Sequence, residues 1–191
     1  DSIDDMIYFT QYTHARGLQY WIEYMRTHKG VCGGSLYWKF NDPVAPNREN
    51  MLFPSLMSVI DFYGMPKLAF DYARRAYEDV ILAFREEEGK LLVFGCNETL
   101  QAYTGELCLY WMDHSKAVFT GDIALWNRFF PGDIADYVGV RPSQAHLTGR
   151  IVSRCGNELD VEITTDHFAQ DVCLCALDKS AQYSDNAFDM D

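Results

Sequence analysis

An α+β chain is predicted, with helical residues first and an antiparallel, strand-rich stretch after them. Three observations predict it. Apolar residues recur at helical spacing from Ser2 to Lys29, a second helical stretch follows Pro66, and after about residue 78 the period changes from 3.6 to 2 with turns between short runs.

Ser2 with Asp5 gives a capping-box-like start, and Leu18, Trp21, Ile22 and Met25 repeat at the spacing of one helix face. His28 and Lys29 lie where cations favour a helix C-terminus, and Gly30 can turn left-handed, so one long helix is expected to stop there. The aromatic positions Tyr20, Trp21 and Tyr24 read as packing before they read as a ligand groove.

Residues 33–40 are aromatic-rich after a glycine break and read as a buried strand that ends at Asn41-Asp42-Pro43. Pro43, Pro46, Asn47, Asn50 and Pro54 then break any regular element, which makes residues 43–59 a long loop of the kind that often carries function. Asp61-Phe62-Tyr63-Gly64-Met65-Pro66 turns the chain into the second helix, Gly64 allowing a positive φ and Pro66 sitting near the first helical position. Leu68, Ala69, Tyr72, Ala73 and Ala76 form its inner face.

The expected strands after residue 78 are 80–85, 90–96, 105–112, a group near 118–126, then 149–154, 159–164 and 172–177, with turns at Glu88-Gly89, Asp113-His114-Ser115 and Cys155-Gly156-Asn157. Residues 159–164 alternate most cleanly and are expected to bury one face. Such a series of short strands suits an immunoglobulin-like antiparallel β-sandwich over 79–191. The helix–strand–loop–helix order of residues 1–78 is of the kind found in a parallel (β/α)₈ barrel, and such a piece cannot close a core alone; the resemblance given below implies that it is the terminal piece. The chain therefore reads as a fragment, and self-association or rearrangement is expected of a barrel strand without its neighbours.

Hydrophobic residues at 48% and charged residues at 23% place the chain among globular proteins. With 16 basic and 28 acidic side chains, the net charge of −12 opposes binding to phosphate backbones or anionic lipid heads, so neither nucleic acid nor a membrane is expected as a partner. No apolar run approaches the ~20 residues of a membrane-spanning helix. Cys32, Cys96, Cys108, Cys155, Cys173 and Cys175 match no zinc spacing and read as reduced thiols, which leans towards a reducing, cytoplasmic compartment. The five histidines are scattered, and no metal or cofactor is expected.

Three motifs carry a resemblance. Gly34-Ser35-Leu36-Tyr37-Trp38-Lys39-Phe40-Asn41-Asp42 is similar to the G-x-L-x-W-Q-x-N-D strand that ends the barrel in glycoside hydrolase family 2, specifically its β-mannosidase branch. Ser58-Val59-Ile60-Asp61-Phe62-Tyr63-Gly64-Met65-Pro66-Lys67, followed by Tyr72-Ala73-Arg74-Arg75-Ala76-Tyr77, resembles the stretch of those enzymes that holds their I-D-Y-Y-G-x-P-K turn, and Tyr183-Ser184-Asp185-Asn186-Ala187-Phe188-Asp189 resembles the F-S-D-N-x-F-D signature of their last sandwich. The resemblance implies a retaining exo-glycosidase on terminal β-linked sugars, with a carbohydrate as partner. Its acid and nucleophile glutamates would lie on earlier barrel strands, so no catalytic residue is expected here and the chain alone should be inactive.

Trp38 is the foremost candidate for substrate contact, because an indole near the C-terminal end of a barrel strand can cover the C–H face of a pyranose; the alternative is that it fills the barrel top. Asn41 and Asp42 are further substrate-binding candidates, although short polar side chains after a strand more often bond to loop backbone. Lys39 stands where the family has glutamine, and the loop from Pro43 to Val59 is longer and has Val44 and Leu56 near the places of its tryptophans. Those departures leave β-glucuronidase, β-galactosidase and exo-glucosaminidase open as parent activities. A stand-alone carbohydrate-binding or protein-interaction sandwich is the alternative from another class, and a spacer that braces the barrel is a third.

Overall fold

The computed structural model describes residues 2–44, 57–107, 127, 145–167, 169–174, 183, 184, 186 and 188–190. Two helices, α1 Ile3–Arg26 and α2 Leu68–Ala76, precede β1 Val80–Glu87, β2 Lys90–Asn97, β3 Leu147–Cys155, β4 Glu158–Thr165, β5 Ala169–Val172 and β6 Phe188–Met190. The strands pair antiparallel as β1–β2, β3–β4 and β5–β6, so the chain is α+β as expected. The 45–56 part of the loop, the expected strand near 118–126, most of 105–112, the turn at 113–115, Cys108 and Cys175 lie outside the described residues. Packing divides the chain into one unit of Asp1–Thr104, Ile123–Phe129 and Leu174–Asn186 and another of Gly105–Asp122, Phe130–Cys173 and Ala187–Asp191. The first hairpin thus shares a unit with the helices, although the change of period falls at residue 78.

In the first unit the capping box forms as expected: Ser2 Oγ accepts from Asp5 N at 3.1 Å, and Asp5 Oδ2 accepts from Ser2 N at 2.8 Å. The helix ends at Arg26, three residues short of the expected stop, because Thr27, His28 and Lys29 continue as a tighter turn. Gly30 then takes φ 100° and reverses the chain. Ile22 packs against Ala73 and Ala76, with Leu18 alongside, and the two alanines let α1 and α2 approach closely. All five expected inner-face residues of α2 are buried. Trp21 departs from expectation: lying next to Ile22 in sequence, it is turned off the buried stripe, is largely exposed, and packs edge-on against Tyr20 and Tyr24.

Both ends of α2 are satisfied by α1. Gln11 Oε1 accepts from Leu68 N at 3.1 Å, while Arg26 Nη1 donates to Ala76 O at 2.6 Å and Glu78 O at 2.7 Å. Helix α2 begins at Leu68 with Lys67 as N-cap, two residues beyond Pro66. The β1–β2 hairpin turns at Glu88 (φ 51°) and Gly89 (φ 72°), with Glu87 paired to Lys90. Two positive φ values in a two-residue loop match a type I′ turn, whose twist follows that of the strands. Ile81, Ala83 and Cys96 bury together with Phe94, over which the Arg85 guanidinium sits at 4.6 Å.

The expected buried strand at 33–40 is corrected. Residues 33–37 form no strand, and Leu36, Trp38 and Phe40 are 102%, 79% and 56% exposed. A central parallel strand needs hydrogen-bonding neighbours on both sides and cover on both faces. Here only residues 57–60 pair with this stretch among the described residues.

In the second unit β3 and β4 pair around a turn at Gly156 (φ 60°), with a bulge between Ile151 and Ser153. Thr148 faces Thr164 at 2.7 Å, and Arg150–Glu162 and Ser153–Asp160 are cross-strand pairs. The alternation is as expected, but its apolar face is not buried: Ile151 and Val161 are 63% and 50% exposed, because nothing among the described residues covers the hairpin. Strand β5 falls earlier than the 172–177 expected, and its partner β6 begins at the end of the stretch that the sequence marks only as a motif and runs one residue past it.

Candidate functional site

The site begins as two short strand-like segments of the first unit. Lys39 N donates to Met57 O at 3.1 Å, Ile60 N to Phe40 O at 2.9 Å and Asp42 N to Ile60 O at 3.0 Å, with a parallel bridge between Asn41 and Ile60. Ser58 and Val59 are fully buried beneath this ladder. Lys67 N donates to Val59 O at 2.8 Å, which brings the head of α2 to the same place. The turn between is closed by Asp61, whose Oδ1 accepts from Tyr63 N and Met65 N at 2.8 Å each, and by Gly64 at φ 86°.

Three side chains close a ring below the ladder. Lys67 Nζ donates to Asp42 Oδ2 at 2.8 Å and to Ser58 Oγ at 2.6 Å, while Ser58 Oγ donates to Asp42 Oδ1 at 2.5 Å. Within the ring every donor and acceptor role is consistent: the ammonium donates, the hydroxyl accepts from it and donates to the carboxylate, and the carboxylate accepts. Burial by itself would raise the Asp42 carboxyl, but the hydrogen bonds from Lys67 and Ser58 and the charges of Lys67 and Lys39 outweigh it and hold it below the usual carboxylate range. His14 of α1 is depressed by burial first and by the charge of Lys67 second.

The three expected site residues therefore have different surroundings. Trp38 projects into solvent, with a cis peptide to Lys39. Asn41 is exposed and turns its amide to Asp42 O at 3.4 Å. Asp42 has both oxygens engaged by Lys67 and Ser58, and Asp61 is engaged by its own turn. Ser58 and Lys67 belong to the motif that follows the loop, but their link to Asp42 was not readable from the sequence, because that partner lies 16 and 25 residues away across a loop.

Elsewhere in this unit a cleft of about 510 Å³ opens beyond the C-terminus of α1, lined by Met25, Arg26, Lys29, Cys32, Tyr77 and Glu98 among others. Arg26 and Lys29 face Glu98 there, Lys29 Nζ at 2.7 Å. In the second unit His146 and His167 both meet Asp166, at 3.2 and 3.0 Å, a convergence that scattered histidines did not suggest. The backbone N–H of His146 first, and the His167 side chain next, lower the Asp166 carboxyl to about 2. No group of His, Cys, Asp or Glu among the described residues is arranged to hold a metal ion, and no described helix is long and apolar enough to cross a membrane. No protein-family model, curated protein or solved structure matches the chain.

Proposed function

We propose that the chain is the C-terminal portion of a retaining exo-glycosidase of the β-mannosidase branch of glycoside hydrolase family 2. Residues 1–78 are the closing helix–strand–helix piece of its (β/α)₈ barrel, and residues 79–191 are its immunoglobulin-like sandwich. The observation that carries this reading is the exposed indole of Trp38, held on a segment that makes a parallel bridge to Ile60. Exposure leaves the ring face free for the C–H face of a pyranose, and the parallel bridge suits a barrel strand. In this division of labour the acid and nucleophile come from other strands, while Trp38 forms part of the sugar-site wall with Asn41 beside it.

Two measurements test it. Titration with manno-oligosaccharides is expected to release heat that disappears in Trp38→Ala, and heat that survives this change but is lost with substitutions in the β3–β4 hairpin would transfer the function to the sandwich. Incubation with an aryl β-mannoside is expected to liberate no phenol from these 191 residues alone. Turnover by the chain itself would refute the placement of the carboxylates.

A further inference from the structure

We propose that Lys67 and Ser58 are positioning residues for Trp38, acting through Asp42. The inference deepens the reading of Trp38 as a sugar platform and rests on it.

An exposed indole has no packing to fix it, so its direction is set by the backbone that carries it. That backbone is held on one side by the hydrogen bonds of residues 39–42 to residues 57–60, and the last of them, Asp42 N to Ile60 O, lies at the end of the ladder. Beyond Asp42 the chain enters Pro43 and the long loop, and proline has no N–H with which to continue the pairing. The end of the ladder would fray unless a side chain held it. The Asp42 carboxylate does so by accepting from Ser58, on the paired segment, and from Lys67, at the head of α2. Lys67 also donates to Ser58, so the 39–42 segment, the 57–60 segment and α2 are tied at one point. The side chains of Asp42 and Lys67 are only 14% and 22% exposed, and Ser58 is fully buried, so water competes poorly for these bonds. With one hydrogen bond on each oxygen, Asp42 acts as a brace for the segment.

The test follows Trp38 directly. In the chain labelled with 5-fluorotryptophan, four fluorine signals are expected, and the one lost in Trp38→Phe is that of Trp38. Lys67→Met and Ser58→Ala should each shift or broaden this signal while those of Trp21, Trp111 and Trp126 stay in place, and Lys67→Arg, which keeps a cation for Asp42, should restore it. A Trp38 signal that is indifferent to both variants overturns the proposal. A shift of all four signals together also overturns it, by making the ring a brace for the whole fold. Addition of methyl β-D-mannoside to the unaltered chain gives the separate arm: a Trp38 signal that ignores the sugar counts against the sugar reading alone, whereas the variant series decides the positioning role.

Discussion

At the scale of single residues, the chain uses polar side chains to close backbone gaps that its elements leave open. Asp61 and Asn186 each take up backbone groups that no helix or strand satisfies: Asp61 accepts from Tyr63 N and Met65 N, and Asn186 accepts from Leu174 N at 2.7 Å and donates to Leu174 O at 3.1 Å, as a strand neighbour would. Replacing Ser58 by Ala removes one such partner from a buried, charged ring, so a loss of about 1–3 kcal/mol is expected in urea denaturation. Asp166 offers a pH test. Its native carboxyl titrates at about 2, below the ordinary value of 3.8, so the native state binds protons less readily than the unfolded one. Its contribution is present above pH ~4 and is lost as the pH falls towards about 2. Carboxylate-resolved NMR titration should give that low midpoint in the unaltered chain, and a midpoint at the ordinary value would show that the contacts with His146 and His167 do not persist in solution. Such clusters were not legible in the sequence, since His146 and Asp166 are 20 residues apart and meet only because β3 and β4 pair.

At the scale of elements, local rules carried further. The capping box at Ser2, the left-handed Gly30 and Gly64 and the Glu88-Gly89 turn stand as the sequence suggests, because each depends on neighbours within a few residues, and the inner face of α2 is buried as its helical period marks it, against α1. What failed depends on distant partners: among the described residues the stretch at 33–40 is paired only with residues 57–60, and the apolar face of β3–β4 lacks cover. The turn gives a stabilising prediction. Glu88 holds φ 51°, a region in which a long side chain is disfavoured and asparagine is tolerated. Glu88→Asn should therefore raise stability by about 0.5–1 kcal/mol without altering the hairpin register, as judged by thermal melting and strand NOEs. Gly89→Ala, at φ 72°, should lower it by about 1–2 kcal/mol.

At the scale of the whole molecule, two facts act in opposite directions on association. Val31, Leu36, Trp38 and Phe40 stand in water along one stretch of the first unit, an apolar run of the kind that marks an interaction surface. The net charge of −12 keeps copies apart. Salt separates the two effects, because raising it from 0.1 to 1 M shortens the screening length from about 10 to 3 Å, weakening the repulsion while leaving apolar contact intact. Sedimentation velocity should then show a weight-average coefficient that rises with protein concentration and rises further with salt. Leu36→Glu together with Phe40→Glu should return the chain to the monomer, since the pair removes two exposed apolar side chains that flank Trp38 and adds charge of the prevailing sign. Association that weakens with salt would instead assign the contact to ion pairs, and association untouched by the double substitution would place it away from the segment that carries Trp38.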